Sequence, residues 1–170
     1  RIGNRIVTLS AAMLTAAGIL LSYTRPVLER ASIVHGDYRN GNFLFDPGSG
    51  EITAILDWEL GHIGDRHYDL GYTLQRSGMS AYSETGELLV GGLVGRSEFL
   101  ELYEAYSGLS VDTKALRYYE IFHARKCATV IGTGVRAAVG GKMHMDMLGV
   151  WVATIGYTFM TDLSTLLEAA

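Results

Sequence analysis

Apolar side chains recur at helical spacing from residue 4 to residue 23, among them Leu9, Met13, Ala16 and Leu20, and predict an opening helix. A connector containing Pro26 follows. The period then changes. Phe-Leu-Phe-Asp at 43–46 and Ile-Thr-Ala-Ile-Leu-Asp at 52–57 are short apolar runs on either side of Pro47-Gly48-Ser49-Gly50. Turn chemistry between two strand-like runs predicts a β-hairpin. After Gly71 the pattern turns helical again. Ser97 is the expected N-cap of one helix, with Glu98 in its first turn and Gly108 as its stop. Asp112 is expected to cap a long helix running through about Val139, with Leu116, Tyr119, Phe122 and Cys127 among its apolar positions. Gly140-Gly141 should break it, and a last helix should run from about Met145 to Leu167. Gly91 to Gly95 is glycine-rich but lacks the lysine and spacing of a phosphate loop, so it reads as a loop. The expectation is one domain over residues 1–170, mainly α with a short β-hairpin (an α+β fold).

Composition narrows the function classes. With 170 residues, 48% of them apolar, the chain can build one real core and is far too apolar to be disordered. Eighteen acids against 14 bases leave a net charge of −4, so no nucleic-acid partner is expected. Cys127 is the single cysteine, which excludes an internal disulfide and a cysteine zinc cluster, and fits a cytoplasmic location. The apolar stretch from Ile6 to Leu21 is interrupted by Thr8, Ser10 and Thr15. It is also shorter than the roughly 20 residues that span a bilayer. It reads as a buried helix, and no membrane partner is expected. The chain starts at Arg1 with no charged region and cleavage site behind it, and is expected to be a piece of a longer protein.

The chemistry concentrates in residues 34–71. Asp37 and Asn42 stand in a loop leading into the first hairpin strand, and Asp57 ends the second. If Asp46 faces Glu51 across the turn, Asn42 faces Ile55. Asp57 is then a diagonal neighbour of Asn42 on the same face, about 7–8 Å away at the backbone. Two converging oxygen donors suit Mg²⁺, a hard cation that keeps several waters. A slip of one residue would reverse the face of Asp57. Asp37 stands ahead of the strand, where a carboxylate could accept the proton of a substrate hydroxyl.

His35-Gly36-Asp37, with Asn42 following after four intervening residues, resembles the catalytic loop of protein-kinase-like enzymes, His-Arg-Asp with an asparagine at the same spacing. The glycine after the histidine, and Leu56-Asp57-Trp58-Glu59 in place of Asp-Phe-Gly, resemble the aminoglycoside phosphotransferase family of small-molecule kinases. Val34 to Gly71 is also similar to the branch fused to acyl-CoA dehydrogenases, and the flanking helices match more loosely. The resemblance implies the C-terminal helical lobe of a protein-kinase-like fold. The catalytic loop and metal hairpin would occupy 34–71 and substrate-side helices 97–168. It implies Asp37 as catalytic base, Asn42 and Asp57 as metal ligands, and His35 and Asp69 as supports of the loop. Arg39 would lie near the transferred phosphoryl group, where its fork suits phosphate oxygens. The implied activity is transfer of the γ-phosphoryl group of ATP, with Mg²⁺, to a hydroxyl of a small molecule. The nucleotide lobe, with its glycine-rich loop and strand lysine, should precede the catalytic loop. Only 34 residues precede His35, and they read as a helix, so that lobe counts as a missing partner and this piece alone is not expected to turn over efficiently.

Plainer readings stand beside these. Asp37 and Asn40-Gly41 are also ordinary turn formers. Glu59 and Asp65 are candidate substrate contacts, although a charged loop holding them with His62 and His67 is more often simply solvated. The two histidines lack zinc spacing. Met143 to Met147 reads as a helix start with methionines packing inward rather than a soft-metal site. The competing function is a catalytically inactive binding or regulatory module of kinase descent. An exposed lobe interface would also favour self-association.

Overall fold

The computed structural model describes residues 2–75, 80–139 and 156–168. Five helices are described: α1 (Ile2–Thr24), α2 (His67–Thr73), α3 (Arg96–Ser107), α4 (Thr113–Val139) and α5 (Tyr157–Glu168). Seven short strands accompany them: β1 (Ser32–Val34), β2 (Phe43–Phe45), β3 (Ile52–Ile55), β4 (His62–Gly64), β5 (Ser80–Tyr82), β6 (Leu88–Val90) and β7 (Val94–Gly95). The expected break at Gly140-Gly141, the methionine run and the start of the last helix lie outside the described residues. No described helix is long and apolar enough to cross a membrane.

The chain divides into two compact units, residues 1–25 with 120–170, and residues 26–119. In the first, α1 packs against α5. Its buried positions include Ala17, Leu21, Ala124 and Leu163. Arg125 Nε donates to the carbonyl of Leu14 at 3.0 Å, and its guanidinium lies against Gly18, where an added Cβ would come within 3.3 Å. A helix face without a side chain lets the planar group lie flat on the backbone.

The second unit packs Leu70, Leu74, Val90 and Leu116 together, with Phe99, Leu100, Tyr103 and Val111 against them. Its helices follow the sequence signals closely. Asp112 accepts the backbone N–H groups of Lys114 and Ala115 and so caps α4. Gly108 ends α3 in the left-handed conformation at φ 68°. Ser97 is not the cap of α3. Gly95 takes that position without a side-chain bond, and the helix starts at Arg96.

Among the described residues, three antiparallel sheets stand where a single hairpin is expected. The hairpin β2–β3 is there, and two further pairings join it. Strand β1 pairs with β4, matching Ser32 to Gly64 and Val34 to His62. Strands β5, β6 and β7 form a meander. The glycine-rich stretch at 91–95 is the tight turn and last strand of that meander, with Gly91 and Gly92 both at positive φ.

The hairpin register also differs from the expected one. Asp46 faces Glu51 and Phe45 pairs with Ile52, but a β-bulge shifts the ladder between Leu44 and Phe45. Thr53 is the extra residue, and its hydroxyl donates to the Leu44 carbonyl at 3.2 Å. Beyond the bulge Phe43 pairs with Ile55, so Asn42 lies opposite Leu56, not Ile55. The diagonal relation of Asn42 to Asp57 is thereby lost. The direction of Asp57 is set instead by its own backbone, left-handed at φ 66° and ψ 52°. It is the one non-glycine residue at positive φ among those described.

Candidate active site

The β1–β4 ribbon delivers the chain to the loop. Val34 is wholly buried, and the next residues cross above Gly61 and Leu60. Gly36 sits at φ +87°, and a Cβ there would come within 2.7 Å of both Cβ and the carbonyl oxygen of Leu60. Only glycine fits this crossing, which explains the glycine between His35 and Asp37. Asp69, in the first turn of α2, fixes the bend: one carboxylate oxygen accepts the N–H of His35 at 2.7 Å and the other that of Gly36 at 2.9 Å.

His35 is fully buried and ties two segments together. Its Nδ1 accepts the N–H of Asp37 at 3.2 Å, so the ring proton belongs on Nε2, which donates to the Leu56 carbonyl at 2.7 Å. The ring packs on Trp58 with centroids 4.6 Å apart. One imidazole thus sets the position of Asp37 and of the residue before Asp57. His35 and Asp69 hold the loop by these bonds.

Asp37 is the centre of a dense cluster. Oδ2 accepts Arg39 Nε at 3.1 Å and Asn42 Nδ2 at 3.0 Å, while Oδ1 accepts the Tyr72 hydroxyl. A carboxylate offers about four lone-pair positions, so these three donors leave one free, on Oδ1. Burial pushes the Asp37 carboxyl up, but the hydrogen bonds of Tyr72, Asn42 and Arg39, with the charge of Arg39, outweigh it and hold the group below the ordinary carboxylate value. Gly41 makes room for Arg39: a Cβ there would stand 2.7 Å from Nη1. Asn40 anchors the loop to the meander by donating to the Gly91 carbonyl at 2.8 Å.

Asn42 is buried, and its Nδ2 also donates to the Asp37 carbonyl at 2.8 Å. That orientation leaves Asn42 Oδ1 as the oxygen available to a cation. Asp57 is exposed and joins neither Asn42 nor Asp37 by a hydrogen bond or ion pair. Its nearest tie is through Leu56, whose N–H donates to the Asn42 carbonyl at 2.8 Å. Among the described residues no three His, Cys, Asp or Glu side chains gather as a metal cage.

The two candidate substrate contacts separate. Glu59 is exposed in the short turn Trp58–Leu60. Asp65 is buried, and its Oδ1 accepts both the N–H and Nδ1 of His67, at 3.0 and 2.6 Å. His67 Nε2 in turn accepts the N–H of Asp112 at 3.0 Å. The ring is therefore neutral, with its proton on Nδ1, and it pins α2 to the start of α4. Asp65 serves this pin, because both hydrogen bonds of its side chain go to His67.

Tyr72 is the site residue that sequence reading misses. Its signal is the spacing to Asp69: residues three apart on a helix share a face, so once Asp69 holds the loop, Tyr72 reaches it too.

A profile of the phosphotransferase enzyme family matches residues 11–109, more than half of the chain. The chain belongs to this family. Curated relatives of this phosphotransferase-family chain include mouse acyl-CoA dehydrogenase family member 10, 44% identical over 48 residues, covering 28% of the chain and 4% of that protein. The Streptomyces fradiae aminoglycoside 3′-phosphotransferase is 31% identical over 101 residues, covering 59% of the chain and 34% of the enzyme. The chain thus spans about a third or less of the length of these two relatives. A provisionally assigned aminoglycoside phosphotransferase from Ralstonia eutropha JMP134, of solved structure, superposes with a TM-score of 0.70 at 20% identity. The alignment covers 98% of this chain and 53% of that one, and it establishes the fold.

Proposed function

We propose that this phosphotransferase-family chain carries the acceptor side of an ATP- and Mg²⁺-dependent kinase that phosphorylates a hydroxyl of a small molecule. The observation that carries the reading is the Asp37 cluster: a partly exposed carboxylate, three donors holding it, and one lone pair left over. In this reading the substrate hydroxyl donates to the free position on Asp37 Oδ1. Tyr72 and Asn42 keep the carboxylate from turning away. Asp37 orients the attacking oxygen and takes its proton as the oxygen loses it to bond formation. A carboxylate below its ordinary pKa is a weak base, which suits a loose transition state in which the proton leaves late.

The donor set fits Mg²⁺. Asn42 Oδ1 and the exposed carboxylate of Asp57 would supply two protein oxygens, and Mg²⁺ fills its remaining positions with water and phosphate. Bound Mg²⁺ and ATP would supply the phosphoryl group and neutralise charge on its oxygens. Arg39 is 41% exposed at its side chain and reaches Asp37 only through Nε, so its terminal nitrogens can turn to phosphate oxygens while Nε stays on the base.

The test is a phosphorylation screen of the longest protein encoded by the gene against a panel of hydroxyl compounds with labelled ATP. Asp37→Asn should abolish transfer to any acceptor found while MgATP still binds. Undiminished transfer by that variant would remove Asp37 from the reaction.

A further inference from the structure

A cleft of about 730 Å³ opens in the second unit, beside the catalytic loop. That is within the range of about 300–1,000 Å³ typical of small-molecule sites. Its wall is apolar and aromatic, with Ile33, Phe99, Leu102, Tyr103, Tyr106 and Leu109. Three of these stay open to solvent: Ile33 is 73% exposed, Leu102 40% and Tyr106 88%. Asp37 is not among the lining residues, but Tyr38, Asp69 and Thr73 are. The cleft therefore shares a wall with the loop without being the reacting centre.

Only two lining residues carry charge, Asp69 and Arg66. Asp69 is committed, with one oxygen on each of two loop N–H groups. Arg66 differs. It donates from Nη2 to the Ser110 carbonyl at 2.6 Å and hydrogen-bonds the Tyr103 side chain, its Nε is buried without a hydrogen-bond partner, and among the described residues no carboxylate forms an ion pair with it. The acid nearest it in sequence, Asp65, is bonded to His67. A cation would find no free acid in this cleft, whereas an anion would find an arginine with no ion pair.

We infer that the cleft is a binding site for an amphipathic anion, a ligand with an apolar body and a carboxylate-type head directed to Arg66. A polycation such as an aminoglycoside does not fit it. The assignment does not depend on phosphoryl transfer by Asp37.

The experiment measures binding to the 170-residue chain by calorimetry, without nucleotide or metal, using decanoate, decanol, decylamine and neomycin. Decanoate should bind at least about tenfold more tightly than decylamine, the worth of one charged hydrogen bond, and neomycin should not compete with it. Arg66→Gln should remove that preference and leave decanol binding unchanged. Because loss of the Ser110 bond could unfold this variant, the wild-type chain is also titrated at rising salt, where decanoate should weaken and decanol should not. Asp37→Asn should bind decanoate like the wild type, which separates this site from the kinase reading. Equal affinity for decanoate and decylamine, salt-independent decanoate binding, or a self-associated chain that binds none of the probes would each overturn the assignment.

Discussion

Two aspartates less than thirty residues apart are each held by side-chain donors, yet one is closed off and the other is left partly open. Asp37 is gripped by Tyr72, Asn42 and Arg39, and Asp65 by His67. The difference lies in closure. The side chains of Asp65 and His67 are 9% and 4% exposed, and His67 uses both ring nitrogens inside the fold. The Asp37 side chain is 19% exposed and keeps a lone pair, and its cation, Arg39, is 41% exposed. Burial of a charge among satisfied partners fixes structure, while partial burial with one bond unmade leaves a group that can act.

The sharpest way to break this comparison is to remove the charge from each aspartate in turn. Asp37→Asn should lower turnover by about 10²–10⁴-fold, the usual worth of a general base, with little change in melting temperature. Asp65→Asn should do the reverse, costing about 1–3 kcal/mol of stability in urea unfolding through a half-satisfied buried group. Should Asp65→Asn abolish turnover in protein that stays folded, the pin would have to be counted as part of the reacting centre.

The loop crossing gives the next effect in size. Gly36→Ala meets both a positive φ and the Leu60 backbone, and should cost about 1–3 kcal/mol or more. Gly50→Ala shares the positive φ, at +74°, but has nothing within 4 Å. It should cost about 1 kcal/mol only, the conformational part. Equal losses in chemical denaturation would show that Leu60 can move aside and that the crossing is not tight.

A hydroxyl deletion sharpens the account of Asp37 itself. Tyr72→Phe removes one donor and should reduce kcat by about tenfold or less, with KM for the acceptor nearly unchanged, because the carboxylate loses alignment and not its substrate. A rise in KM at constant kcat would place Tyr72 on the substrate instead.

The smallest effect belongs to the cap of α4. Its carboxyl lies below the ordinary value because Asp112 accepts the N–H groups of Lys114 and Ala115. A depressed folded-state pKa contributes stability that is present above the unfolded value of 3.8 and is lost as pH falls through the lower folded value. Asp112→Ala should cost about 1 kcal/mol at neutral pH, the worth of a cap. The gap to the wild type should close in acid, as read by thermal unfolding across that range.

Helices were the legible part of the fold, because many positions vote on one period. Residues 4–23 predict α1, found at Ile2–Thr24, and Asp112 marks α4. The β1–β4 ribbon and the β5–β7 meander were not legible. Strands of two or three residues carry barely one alternation, and β1 finds its partner only after a loop, a hairpin and a turn. In the site, Asp37 and Asn42 were read from their place on one loop and His35 from the family resemblance, and the three lie together because a short loop keeps near residues near. Tyr72 was not named, because its contact with Asp37 depends on where α2 docks.

By itself the sequence determined which residue types were available and how close the backbone would keep them: a glycine for the crossing, an acid and an amide on one loop, and a turn at Pro47 to Gly50. Only the tertiary structure decided which of those groups stay reactive. Thr53 bulges the ladder and moves Asn42 opposite Leu56, Asp57 takes its direction from a left-handed backbone, and Asp65 is closed in by His67. Each outcome turns on non-local pairing and burial, whose energies depend on partners that are distant along the chain and leave no mark in its local pattern.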